Sequence, residues 1–120
     1  MSVMHILLFR VAAALCLLGV ALGAFGAHAL KETLAAREML GAWEKAVLYQ
    51  FIHAIALLGL AMMPNLNKPA AMLLLAGIVL FSGSLYVMAL TNVRALGAIT
   101  PLGGLCFLAG WAWLIIAPAR

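Results

Sequence analysis

Four long apolar runs, broken by few polar side chains, set the layout of this chain. They extend from about His5 to Leu30, Ala46 to Met63, Pro69 to Leu90 and Ala98 to Ala117. A membrane-crossing helix needs about 20 mostly apolar residues, so each run predicts a span. Pro64 and Asn65 stop the second run, and Pro118 follows the fourth. Pro69 and Pro101 suit first helical turns, where a missing N–H costs nothing. The links PNLNK (64–68) and TNVRALG (91–97) are short. Short links make neighbouring helices antiparallel, which predicts an all-α, integral-membrane, four-helix up-down bundle in one domain, 1–120.

The stretch AAREMLGAWEK (35–45) has a different pattern. At 100° per residue, Arg37, Glu38, Gly41, Glu44 and Lys45 share one arc, and Met39, Leu40, Ala42 and Trp43 the other. This predicts an interfacial amphipathic helix over about 33–45, with Thr33 as N-cap and Trp43 as its anchor at headgroup level.

Composition makes the membrane address firm. Of 120 residues, 68% are hydrophobic and 8% charged, and the mean hydropathy is +1.23. Soluble domains are about 45–50% apolar and about 25% charged. A small soluble domain buries only about 60–70% of the surface its unfolded chain exposes, too little to hide this much apolar surface.

The net charge of +4 comes from cations scattered singly: Arg10, Lys31, Arg37, Lys45, Lys68, Arg94 and Arg120. No basic cluster with interleaved aromatics exists, which argues against nucleic acid as a partner. One face of the membrane receives Arg10, Lys68 and Arg120, the other the remaining four, so the positive-inside rule does not orient the chain. Cys16 and Cys106 fall inside apolar runs and read as packing residues. Ala27-His28-Ala29 fits a signal-cleavage pattern, but an apolar run of about 20 residues exceeds the 7–15 of a signal, so the first span is expected to stay.

Lipid is as apolar as leucine, so helices in it associate through close packing and polar contacts. Gly19, Gly23 and Gly26 form a small-residue stripe on the first span, and Gly103 and Gly110, with Cys106, another on the fourth. Such stripes serve packing within a chain or between protomers. A faint echo between AAALCLLGVAL (12–22) and AAMLLLAGIVL (70–80) suggests a duplicated hairpin.

The polar residues inside the spans are unevenly placed. Up-down topology brings His28, Tyr49, Gln50, His53, Ser82, Ser84, Tyr86 and Thr100 into one leaflet, beneath the amphipathic helix. With the second span starting at Ala46, His53 lies about 10 Å inside it. The cluster is expected to be either a hydrogen-bonded clasp between helices or a polar pocket around His28 and His53.

Enzymatic chemistry is not expected. No Asp exists to orient a histidine, and no nucleophile-elbow context surrounds Ser82 or Ser84. No metal or cofactor is implied, although two histidines on two helices leave haem ligation conceivable. All three acids, Glu32, Glu38 and Glu44, lie outside the spans, which argues against cation export coupled to an embedded carboxylate.

GAFGAHAL (23–30), Trp43, AVLYQFIHAIALL (46–58), FSGSLY (81–86), TPLGG (100–104) and Gly110-Trp111 resemble the YgdD-like family of small bacterial inner-membrane proteins. The resemblance covers nearly the whole chain. It implies a multi-pass protein of the bacterial plasma membrane, in a family of unknown function, and it implies no activity. The leading expectation is a non-enzymatic structural, assembly or lipid-interacting protein. Its partners would be membrane lipids and either a second copy or another membrane protein. The alternatives are a small-solute or proton pore using His28 and His53, and a haem- or quinone-binding accessory.

Overall fold

The computed structural model describes residues 2–118, whose regular elements are all helices, four of them long and apolar enough to cross a membrane. The first span is Val3–Ala27, the second Leu40–Ala61, and the third Lys68–Thr91. A 3-10 turn, Arg94–Ala98, leads into the fourth span, Thr100–Ile116. Arg120, counted among the flanking cations, lies outside the described residues.

Local chemistry explains where the spans begin. Ser2 Oγ accepts the His5 amide at 3.3 Å, and Asn67 Oδ1 accepts the Ala70 amide at 3.2 Å. Each side chain satisfies a donor that a helix start leaves free. Pro69 and Pro101 both sit in a first turn.

Two bonds at one end of the bundle confirm the up-down order. His5, at the start of the first span, meets the Met63 carbonyl just past the end of the second. Asn67 Nδ2 donates to Ala117 O, tying the start of the third span to the end of the fourth at 2.9 Å. The first span packs along the second, the fourth along the third, and the second and third form the buried centre. Ala12, Ala54, Leu57, Leu74, Ile78 and Phe107 belong to one apolar cluster in that centre.

The glycine stripes lie at these crossings. A Cβ on Gly103 would collide with the backbone of Phe81, and one on Gly26 with the Trp43 indole. Gly19 lies against the Phe51 ring, Gly23 against Val47, and Gly110 against Leu74. All five approach neighbours within the chain. Gly77, the partner of Gly19 in the internal echo, lies against the Phe107 ring of the fourth span.

The stretch before the second span departs from expectation. The single interfacial helix over 33–45 is instead a short helix, Lys31–Ala36, followed by a break; the second span starts at Leu40 rather than Ala46. The break is a Schellman motif. Glu38 N–H donates to Ala35 O at 3.1 Å, Met39 N–H donates to Leu34 O at 2.8 Å, and Glu38 takes the left-handed conformation at φ 57°. Leu34 and Met39 are both buried and share a cluster, the apolar contact that accompanies this motif. Glycine usually marks such a stop; glutamate hides it. Thr33 is not an N-cap, since the short helix starts two residues earlier, after Leu30.

The third span also holds a feature that apolar periodicity does not reveal. Ile78–Gly83 winds as a π-helix. Such turns are uncommon and shift the register of everything beyond them. This one lies where Gly103 crosses against Phe81.

Candidate functional site

The polar residues resolve into bonded groups rather than one open pocket. The first joins three spans through Gln50, which is 3% exposed. Gln50 Nε2 donates to the Leu15 carbonyl of the first span at 2.7 Å, and Gln50 Oε1 accepts from Tyr86 Oη of the third at 2.6 Å. Beside it, Trp43 Nε1 donates to Leu22 O at 2.8 Å, and the Trp43 and Tyr86 rings meet edge-on at 4.8 Å. A helix carbonyl already bonded in its own helix keeps a second lone pair, so these bonds leave the first span intact.

Trp43 is therefore not an interfacial anchor. It is 2% exposed and occupies the first turn of the second span. Gly26 makes room for it, and the Leu22 carbonyl takes its N–H. In hydrocarbon an unpaired indole N–H is costly, so the ring sits where a carbonyl is in reach.

Two hydroxyls knit the third span to its neighbours. Ser82 Oγ, fully buried, donates to Ala46 O of the second span at 2.7 Å. Ser84 Oγ lies 3.0 Å from Phe81 O and 2.7 Å from Thr100 Oγ1 of the fourth span.

His53 belongs to a separate group. Although the second helix starts at Leu40, His53 stands about 12 Å beyond the exposed Glu44 and Lys45, close to its expected depth. Its Nδ1 is 2.7 Å from the Tyr49 carbonyl, and Trp111 Nε1 of the fourth span donates to its Nε2 at 3.0 Å. A carbonyl only accepts and an indole N–H only donates. These two partners therefore fix the neutral Nδ1–H tautomer, and a proton on Nε2 would displace Trp111. The ring also stacks on Phe107 at 3.6 Å between centroids. Tyr49 lies beside both rings, and among the described residues its hydroxyl makes no hydrogen bond.

His28 does not join this cluster. It caps the end of the first span, and its side chain is exposed. Trp43 packs near that end, at Gly26, and ten residues of helix, about 15 Å, separate Trp43 from His53. The expected His28–His53 pocket is corrected on this ground. Haem held between those two histidines does not fit either, because His53 faces the fourth span and its Nε2 lone pair is engaged by Trp111. Among the described residues, no three His, Cys, Asp or Glu side chains gather to hold a metal.

Sequence reasoning missed Trp111 as the partner of His53. About three turns of helix separate Trp111 from Thr100, and the other polar positions lie on other helices or at the end of the first span. It also missed Arg37. Arg37 Nη1 donates to Ala89 O at 2.8 Å and to Leu90 O at 2.9 Å, the last carbonyls of the third span, and Arg94 Nη2 donates to Arg37 O at 2.8 Å. Those carbonyls have no helical partner, and a cation there also suits the negative helix end.

Comparison with known proteins follows the same outline. Residues 22–104 match the family described as protein of unknown function, DUF423. A UPF0382 membrane protein of Staphylococcus haemolyticus is 49% identical over 116 residues, covering 92% of this chain and 93% of that protein. One from Staphylococcus epidermidis is 48% identical over 109 residues, 87% of this chain and 88% of that protein. The UPF0382 inner membrane protein YgdD of Escherichia coli is 44% identical over 106 residues, 84% of this chain and 80% of that protein. No solved structure matches the chain.

Proposed function

The chain belongs to the DUF423 family, and we propose for it a non-enzymatic, structural role as a multi-pass inner-membrane protein. The observation that carries this reading is the bonding of the polar cluster. Among the described residues, no buried side-chain nitrogen or oxygen lacks a hydrogen-bond partner. Gln50, Ser82, Tyr86, His53 and Trp111 are engaged with backbone carbonyls or with one another across helices. A conducting or catalytic site needs groups free to exchange partners; these groups are held.

The rest of the interior supports the same reading. Ala12, Leu57 and Leu74 are packed apolar residues that lie, along their spans, nearer the termini than the polar groups. A pore or proton carrier therefore has less support than a clasp.

The test pairs stability with flux. Wild-type protein in phosphatidylethanolamine–phosphatidylglycerol vesicles should pass protons no faster than empty vesicles, read with an entrapped pH dye. His53→Ala should lower the melting temperature in detergent and leave that leak unchanged. Proton flux through the wild type, abolished in a variant of normal stability, would overturn the structural reading.

A further inference from the structure

The second and fourth spans are bridged by side chains, and between them lies an open-sided cleft of about 590 Å³. Tyr49, Ile52, His53, Leu105, Phe107 and Trp111 are among its lining residues. Ile52 and Leu105 are 45% and 61% exposed, so the cleft opens towards the bilayer. Its lining is apolar and aromatic. His53 adds no free polar atom, since both ring nitrogens are engaged.

The depth and length of the cleft identify what fits it. Glu44 and Lys45 are exposed at the start of the second span and mark headgroup level. Tyr49 follows four residues later, about 6 Å deeper. The hydrocarbon core is about 30 Å thick and the whole bilayer about 40–45 Å, so each polar zone is about 5–8 Å deep. The Tyr49 side chain thus starts where polar zone and hydrocarbon meet, the level of the lipid esters. From Pro101 to Trp111 the cleft follows ten residues of the fourth span, about 15 Å. That is half of the hydrocarbon core, the depth of one leaflet.

We propose that this cleft holds one acyl chain of a membrane phospholipid, with the Tyr49 hydroxyl donating to its ester carbonyl. The chain lies along the aromatic rings between the second and fourth spans. The hydroxyl, which has no partner among the described residues, finds its acceptor in the lipid. This deepens the structural reading above and rests on it, because a neutral, fully bonded His53 is what keeps the cleft apolar.

Native mass spectrometry of the full chain in mild detergent, titrated with dioleoyl phosphatidylglycerol and dioleoyl phosphatidylethanolamine, tests the assignment. One phospholipid should remain on each chain. Tyr49→Phe should weaken its apparent affinity about two- to tenfold, the range of one hydrogen bond. Gly104→Phe should abolish retention, because Gly104 lines the cleft and its Cβ direction is open. Should Gly104→Phe fail to fold, Tyr49→Phe decides alone. The assignment is overturned if no lipid is retained, or if Tyr49→Phe retains it as tightly as the wild type. It is also overturned if oleic acid displaces phospholipid at equal concentration, or if the wild type is a dimer that Gly104→Phe dissociates. Loss of the lipid assignment leaves vesicle flux unchanged, whereas proton flux through the wild type overturns the structural reading whatever the lipid count.

Discussion

The indole N–H of Trp111 donates to His53 Nε2 at 3.0 Å and joins the fourth span to the second within the hydrocarbon. Neither group can turn to water there. Bonds between helices in lipid measure about 0.6 kcal/mol on average and up to about 1.7. Trp111→Phe keeps a ring and removes the donor, leaving Nε2 unpaired. It should destabilise the protein by about 0.5–2 kcal/mol, seen as a lower melting temperature in detergent. An unchanged melting temperature would mean that the bond contributes nothing.

Gln50 receives from Tyr86 and gives to Leu15. Tyr86→Phe and Gln50→Leu should therefore each destabilise, and the double variant should cost less than their sum. A coupling of about 0.5–1.5 kcal/mol in a double-mutant cycle is expected, and strict additivity would show the two residues to be independent.

Two adjacent glycines make a sharp comparison. A Cβ at position 103 meets the backbone of Phe81, which cannot swing aside, whereas a Cβ at position 104 meets nothing within 4 Å. Gly103→Ala should destabilise by at least about 1–3 kcal/mol. Gly104→Ala should fall within about 0.5 kcal/mol of the wild type. Equal melting temperatures for the two variants would contradict the observed crossing of the third and fourth spans.

Arg37 holds the end of the third span through Ala89 O and Leu90 O, and its own carbonyl is held by Arg94. Arg37→Ala should free those carbonyls and loosen the 91–97 link. Trypsin cleavage at Arg94 should then speed up several-fold, with Arg37→Lys intermediate because an ammonium reaches the carbonyls but lacks the rigid fork. Cleavage at the wild-type rate would show that the link is held by other contacts.

How much of this was legible before folding can be judged residue by residue. The third span was placed to within a residue at each end, because Pro69 and the polar links PNLNK and TNVRALG are local signals; the structure adds the Asn67 cap and the left-handed Asn92. The start of the second span was misplaced by six residues, because its stop signal is a left-handed glutamate that looks like one more charge on a helical face. Trp43 was misassigned for the same reason. Once the helix restarts at Leu40, the indole turns inward to Leu22 rather than out to the headgroups.

By itself the sequence determined the membrane address, the number of spans and their alternation, since these follow from the length of apolar runs and the shortness of the links. It also determined which residues are polar and at what rough depth. Only the tertiary structure decided who meets whom. A polar group in hydrocarbon takes whichever partner the packing brings within about 3 Å. That choice depends on helix rotation, on the π-turn at Ile78–Gly83 and on where glycine lets backbones close in. Thus His53 faces Trp111 and not His28.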